Sequence, residues 1–585
     1  MSSRFSFFAE LKRRNVYKVA VAYAVGGWAL AQGIAQVLPV FDVPNWIVRL
    51  IVLAIILGFP VALAISWAFE LTPEGFKRTE EAHLATEPSR NSRTWIYVVV
   101  IGALFSASLF FLGRYSVKSG AIGASAPGGG VPQKSIAVLP LLNESGDPRD
   151  EYFSDGLSEE LIAALGQIKD LKVIGRSSSF RYKARKEDAK IIAGELGVST
   201  LLEGTVRKQG DRVRIVAELI NAADGIQLWA QTFDRELKDI FAVQEEISRA
   251  VADSLKVTLL GSDEKATTNA APKSVDAHNA YLQGHFVFLR RNLDDYRRAV
   301  TYFDAAIQLD PDYALAYAER SEAWTLIADL TGEHDKGWPI ARSDAEKAVT
   351  IAPTIAEPHA ALGWVRFFVD WKFADGLKEL KRAKELSPAN PTANDLLARV
   401  IVYTGQIEAA ERQAREAAEL DPLSVAALAN LSRVLFAAGK LDEATASGRK
   451  AAELQPTSAS NHRWQVLAAV QRKDGEAALR EAKLEADERF RRFELALAYY
   501  VAGDRAGSDT ALAELIAKDR GGFAYQIAEV CAVRGEADKA FEWLEIAFNQ
   551  HDSGILGLLI DPLLNSLRDD PRYKALVAKL GMPTA

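Results

Sequence analysis

One phrase recurs along this chain at a fixed step. Ala383-Lys384-Glu385-Leu386-Ser387-Pro388 returns as Ala417-Ala418-Glu419-Leu420-Asp421-Pro422 and again as Ala451-Ala452-Glu453-Leu454-Gln455-Pro456, so the prolines stand 34 residues apart. Small residues keep the step: Ala410, Ala414 and Ala417 are followed by Ala444, Gly448 and Ala451. A turn glycine precedes each set, Gly405 and then Gly439. A repeat of this length restricts the chain to stacked units. Each unit leaves an apolar face that only its neighbour can cover. Function is therefore sought first in binding and only second in chemistry.

The step, the alanine pattern, the glycine and the proline together resemble the tetratricopeptide repeat. The resemblance implies two antiparallel helices per unit, with small residues where they cross and a proline ending the second helix, because proline cannot donate the next helical hydrogen bond. Proline marks recur at Pro311, Pro353, Pro388, Pro422 and Pro456. The first of these intervals is long, and its surplus is assigned to a loop over 331–339. Hairpins begin near Val275, continue without the proline over 460–487 and 489–518, and include one more around Gly535. About eight units are expected over 275–552. The remainder, 553–585, carries Asp561-Pro562-Leu563-Leu564 and resembles the motif that closes such arrays, where it caps the last apolar face.

A stacked array offers a concave groove lined by first helices. Aligning Ala398 with Ser432 pairs Arg399 with Arg433, so two arginines share one repeat position. Guanidinium groups side by side suit a carboxylate of a bound peptide. Trp364 and Phe367 are candidate apolar anchors one unit earlier. Asp395, Tyr403 and Asn430 complete the candidate groove. The plainer role for the arginines is pairing with helix carboxylates such as Asp395, worth about 0–1 kcal/mol each.

The stretch 134–260 has a different texture. Ser135 to Leu142 reads as a short buried strand, Asp155 to Ile168 as an amphipathic helix, 171–174 as a strand and Ala189 to Leu196 as a helix. Three strands with period two follow, over 200–208, 212–220 and 226–233, and a helix from Ile240 to Leu255 closes the unit. Ile136-Ala137-Val138-Leu139-Pro140-Leu141, Tyr152-Phe153-Ser154-Asp155-Gly156-Leu157 and Leu201-Leu202-Glu203-Gly204-Thr205-Val206 resemble the amino-terminal domain of TolB and the related FlgO-like and CsgG-like domains. The resemblance implies an envelope interaction module of α/β fold. Asp155 and Glu159 sit in a first helical turn, where carboxylates complement the helix dipole. Arg176-Ser177-Ser178-Ser179 follows a strand end, a position where ligands dock in α/β sheets, or else is a polar loop. No histidine lies between Lys134 and Ala277, so this stretch holds no His-dependent triad or metal site.

Residues 1–115 read as a membrane anchor. Apolar stretches over 19–40, 46–69 and 95–113 are each long enough to cross a bilayer. Lys12, Arg13, Arg14 and Lys18 precede the first, and Lys77, Arg78, Arg90 and Arg93 lie between the second and third. Basic loops stay inside, which places everything after Arg114 outside, in a multi-pass protein of the bacterial inner membrane with periplasmic soluble parts. If the first stretch only lies on the bilayer, the soluble parts are cytoplasmic. The opening Phe7-Phe8-Ala9-Glu10-Leu11-Lys12-Arg13-Arg14 is similar to that of bacterial membrane proteins with a TolB-like domain and tetratricopeptide repeats. Some relatives carry an adenylate cyclase or winged-helix domain; this chain is expected to have neither. The Gly, Ala, Ser and Pro-rich 116–133 is a tether, and 261–274 is a second linker.

The expected fold class is thus multidomain: three transmembrane helices, a small α/β domain and an all-α repeat solenoid. A net charge of −7 argues against a nucleic-acid surface. The single cysteine, Cys531, excludes an intrachain disulfide, and a lone cysteine in a helical repeat reads as a small buried residue. His278 and His285 lie two turns apart without a third ligand in sight. No catalytic residue, metal or cofactor is expected. The expected function is a membrane-tethered scaffold whose groove takes a protein or peptide, and a homo-oligomer is compatible with it. The alternatives are a receptor relaying an envelope signal and a cyclase-associated enzyme.

Overall fold

A computed structural model of the protein describes residues 134–255, 272–456 and 462–583 apart from 169, 184 and 186, together with Phe59, 69–72 and 75–78. The chain divides into two compact units, Met1–Gly129 and Gly130–Ala585. In the first, β1 (Phe69–Thr72) pairs antiparallel with β2 (Gly75–Arg78) across the two residues Pro73 and Glu74.

The second unit opens on a six-stranded mixed sheet. Its strands are β3 (Ser135–Val138), β4 (Leu142–Asn143), β5 (Lys172–Val173), β6 (Thr200–Gln209), β7 (Arg212–Asn221) and β8 (Gln227–Glu236). The order is β5-β3-β6-β7-β8, with β4 also on β6. β3 runs parallel to both neighbours and is buried throughout, as parallel strands covered on two faces must be. In β7 the buried residues alternate, Val213, Ile215, Ala217 and Leu219, the mark of a sheet with one wet face. Helix α1 (Glu151–Leu165) packs on the sheet beside α4 (Ile240–Leu255), while the short α2 (Arg176–Ser179) and α3 (Ala189–Leu196) lie between β5 and β6.

Eight helical hairpins follow among the described residues. They are α5 and α6 (Val275–Phe288, Leu293–Leu309), α7 and α8 (Ala314–Thr331, His334–Ile351), α9 and α10 (Ala356–Trp364, Phe373–Leu386), and α11 and α12 (Pro391–Tyr403, Ile407–Leu420). Then come α13 and α14 (Val425–Ala437, Leu441–Leu454), α15 and α16 (Arg463–Gln471, Gly475–Ala482), α17 and α18 (Glu488–Val501, Arg505–Asp519), and α19 and α20 (Ala524–Val533, Ala537–Asn549). Several first helices start on a polar cap. Asn390 accepts from Ala393 N at 3.0 Å, Ser274 from Ala277 N at 3.1 Å and Ser424 from Ala427 N at 3.3 Å, which satisfies otherwise orphaned amides. Gly405 and Gly439 turn each hairpin at φ +77° and +74°, a region that only glycine enters freely. Ala410, Ala414, Ala417, Ala444 and Ala451 are buried where helices cross. The final α21 (Pro571–Leu580) buries Tyr573, Leu576 and Leu580 against the end.

The array curls until its eighth hairpin meets its third. Trp371, after α9, stacks on His551, after α20, at 3.7 Å between ring centroids, and His551 Nε2 donates to the Val369 carbonyl at 3.1 Å.

Two expectations are corrected here. Where three membrane helices beside an α/β domain and a solenoid were expected, the described residues form a mostly helical architecture with a repeat solenoid and a small mixed sheet. Among the described residues no helix is long and apolar enough to cross a membrane. The stretches 19–40, 46–69 and 95–113 fall outside the described residues except Phe59 and Phe69. At Phe69, where the second was to end, the chain instead enters β1. The physical reason is local pairing, because the backbone of 69–72 bonds antiparallel to Gly75–Arg78 instead of continuing a helix. The expected loop over 331–339 is also mostly helix, because α8 already begins at His334 and carries Pro339 inside it.

Candidate partner-binding face

First helices of neighbouring hairpins touch, and their shared face carries a ladder of cations and rings. The Arg399 guanidinium lies 5.4 Å from the Trp364 ring centre. Arg433 lies 5.7 Å from Tyr403 and 5.4 Å from Trp464. Arg463 lies 5.3 Å from the same Trp464 ring centre. All six side chains are half-buried, so each ring shields a guanidinium edge while leaving an opening to solvent. Arg399 approaches Asp395 at 3.6 Å, and Arg463 approaches Glu529 at 3.4 Å. Arg433 makes no ion pair among the described residues. Burial, with the Arg399 and Arg463 charges beside it, holds its guanidinium below the ordinary arginine value.

The remaining candidates serve the fold. Asn430 donates through Nδ2 to Asp395 Oδ1 at 2.9 Å and to its carbonyl at 3.1 Å; both residues are buried and tie α11 to α13. Phe367 is fully buried and packs edge-on to Phe373 with centroids 5.0 Å apart. It sits in the π turn Val365–Val369 that extends α9, and the half-buried ring on Trp364 is instead Phe368, at 4.0 Å. Thus Trp364, Arg399, Tyr403 and Arg433 come together on the face, whereas Phe367, Asp395 and Asn430 lie beneath it. Arg463 and Trp464 belong to the ladder but fall outside the 34-residue register.

A second cluster joins the α/β module to the array. Glu159, on α1, binds Arg176 at 2.5 Å and also receives a hydrogen bond from His285 Nε2. His285 donates through Nδ1 to Glu319 on α7 at 2.8 Å, and Tyr281 donates to the same carboxylate at 2.7 Å. Burial alone pushes the His285 imidazole down, yet the Glu159 and Glu319 charges raise it well above its ordinary value. Burial pushes the neighbouring Glu160 up to about 8 and lowers His278 to about 4; the two approach at 3.2 Å. His285 therefore answers carboxylates, whereas His278 is held neutral by its burial. Farther along, Asp421 accepts from Ser178 N at 2.7 Å and from the Ser178 hydroxyl, and that hydroxyl accepts from Leu423 N at 2.8 Å. The strand-end loop after β5 is thus filled by the array's own proline corner. Gly156 packs tightly at this seam, where a Cβ would lie 2.6 Å from the Leu282 side chain and push it aside.

Other reactive groups are engaged. Asp155 is held by Lys183 at 2.7 Å through both oxygens. Burial pushes the Cys531 thiol up to about 11, which removes its nucleophilic character at neutral pH. Among the described residues no group of His, Cys, Asp and Glu could hold a metal ion.

The family model of the tetratricopeptide repeat matches residues 288–313. A protein of Rhizobium meliloti (strain 1021) named "Putative adenylate cyclase 3" is 38% identical over 199 residues, which is 34% of this chain and 34% of that protein. The chain therefore matches about a third of that relative's length. Among solved structures, pilF of Pseudomonas aeruginosa is 20% identical, covering 37% of this chain and 96% of that one with a TM-score of 0.29. A tetratricopeptide repeat protein of Parabacteroides merdae ATCC 43184 is 13% identical, covering 42% and 99% with a TM-score of 0.32.

Proposed function

We propose that this chain, which carries tetratricopeptide repeats, is a protein-interaction scaffold that takes a protein or peptide partner on the inner face of its array. The observation that carries the reading is the half-open ladder of Arg399, Arg433 and Arg463 between Trp364, Tyr403 and Trp464. Tryptophan, tyrosine and arginine are the side chains that dominate protein interfaces. Here they alternate across the first helices of successive hairpins. A periplasmic working place is part of the proposal and rests on the likeness of 134–260 to the TolB amino-terminal domain. An activity reporter at the carboxy terminus tests that placement.

A photo-crosslinking residue at Trp464, against one at the exposed Lys450 on the second helix of the fifth hairpin, tests the face itself in lysate of the source organism. Capture of the same defined protein from position 464 and not from 450 is expected. Equal capture from both overturns the reading.

A second reading, nucleotide cyclisation, draws on the name of the Rhizobium relative. It is tested by incubating the purified full chain with ATP and a divalent cation. Formation of cyclic AMP would displace the scaffold reading.

A further inference from the structure

The ladder narrows the partner's chemistry. Three guanidinium groups occupy successive hairpins, and only two of them have a carboxylate within 4 Å. The middle one, Arg433, has two like charges nearby and the Tyr403 and Trp464 rings beside it. The Nε atoms of Arg399 and Arg463 are buried and donate to nothing among the described residues. Like charges held this close destabilise the free protein unless a counter-charge joins them. Arginine is suited to bidentate capture of a carboxylate.

Spacing narrows it further. First helices in contact lie about 8–10 Å apart, so the arginines step by about that distance from one hairpin to the next. A polyproline-type extended segment rises about 3.1 Å per residue with three residues per turn. Every third side chain then faces the same way after about 9 Å. Resting on the scaffold reading above, we infer that the inner face takes an extended acidic protein segment with carboxylates at every third position, seated across Arg399, Arg433 and Arg463. The rings pack on the intervening residues. A nucleic-acid strand fits less well, because Asp395 sits beside Arg399 and would repel a continuous phosphate backbone.

The test uses the full chain and three fluorescein-labelled probes: a 12-residue peptide repeating Glu-Pro-Ala, its Gln-Pro-Ala counterpart, and a 12-nucleotide single-stranded DNA. Fluorescence anisotropy should show binding of the Glu peptide, at least tenfold weaker binding of the Gln peptide and of DNA, and loss of affinity as salt rises. Arg433→Gln should weaken the Glu peptide at least tenfold, and Arg433→Lys less. Circular dichroism melting, unchanged in both variants, separates this loss from unfolding. Equal binding of the Glu and Gln peptides, each weakened by Trp464→Ala, would overturn the acidic assignment and leave the scaffold reading standing. Preferential DNA binding, or no binding of either peptide, would overturn the inference outright.

Discussion

The seam between the α/β module and the array and the inner face of the array are both rich in charge, yet they are built in opposite ways. At the seam each charge is answered. Glu159 has Arg176 and His285, His285 also has Glu319, and Asp421 has Ser178. One apolar core runs beneath it, from Ile136 and Leu157 to Leu282 and Phe303. On the inner face Arg433 is left without an ion-pair partner among the described residues, and the rings around it stay half-open. A matched buried network rigidifies what it joins. An unmatched one is disposed toward something that arrives. The contrast teaches that charge density alone does not single out a candidate binding surface; under the scaffold proposal the unanswered charge does.

Substitutions can break this comparison. The largest effect is expected beneath the ladder. Phe367→Ala should cost about 3–5 kcal/mol through the cavity it leaves, read by chemical denaturation, whereas Trp364→Ala on the face should cost far less. A similar loss from both would erase the distinction between core and face. Next comes the seam. His285→Ala should cost about 3 kcal/mol, because Glu319 and part of Glu159 are then buried without their partner charge. Asp421→Ala should cost about 2 kcal/mol by stranding the Ser178 donors. In both variants hydrogen exchange should quicken in α1 and α2 before it quickens in α13.

The seam should also depend on pH. His285 and Glu160 both hold their protons more tightly folded than unfolded. Folding therefore binds protons, and this part of the stability falls as pH rises. It is present in full below the unfolded values, about 6.5 for histidine and about 4.3 for glutamate. The Glu160 part is lost as pH climbs through about 8, and the His285 part as pH passes its raised value. Glu159 acts in the opposite sense: its folded value is lowered, so its contribution is lost on acidification. Exchange protection of α1 that rises between pH 6 and 9 would contradict this. The smallest effect is expected at Arg433→Gln, within about 0.5 kcal/mol in stability.

Much of this was legible along the chain and some was not. The 34-residue step placed the helix pairs because covering a neighbour demands the same small residues at every crossing. The period-two runs marked β6 to β8, and Ala189 to Leu196 forms a helix within those bounds. Arg399 and Arg433 could be paired by register. Arg463 could not, since it follows Arg433 by 30 residues. Phe367 was misplaced because the π turn in which it sits shifts the helix face. The seam was invisible because its partners are far apart in sequence, 126 residues for Glu159 with His285 and 243 for Ser178 with Asp421. The membrane reading rested on apolar length and on basic residues flanking the stretches, and neither signals the strand pairing that begins at Phe69.

Hydrogen–deuterium exchange of the full chain, with and without the Glu-Pro-Ala peptide, asks the central question most directly. Slowed exchange is predicted in Pro391–Tyr403, Val425–Ala437 and Arg463–Gln471, with no change in Glu151–Leu165. Slowing confined to Glu151–Leu165, or slowing nowhere, would contradict the account.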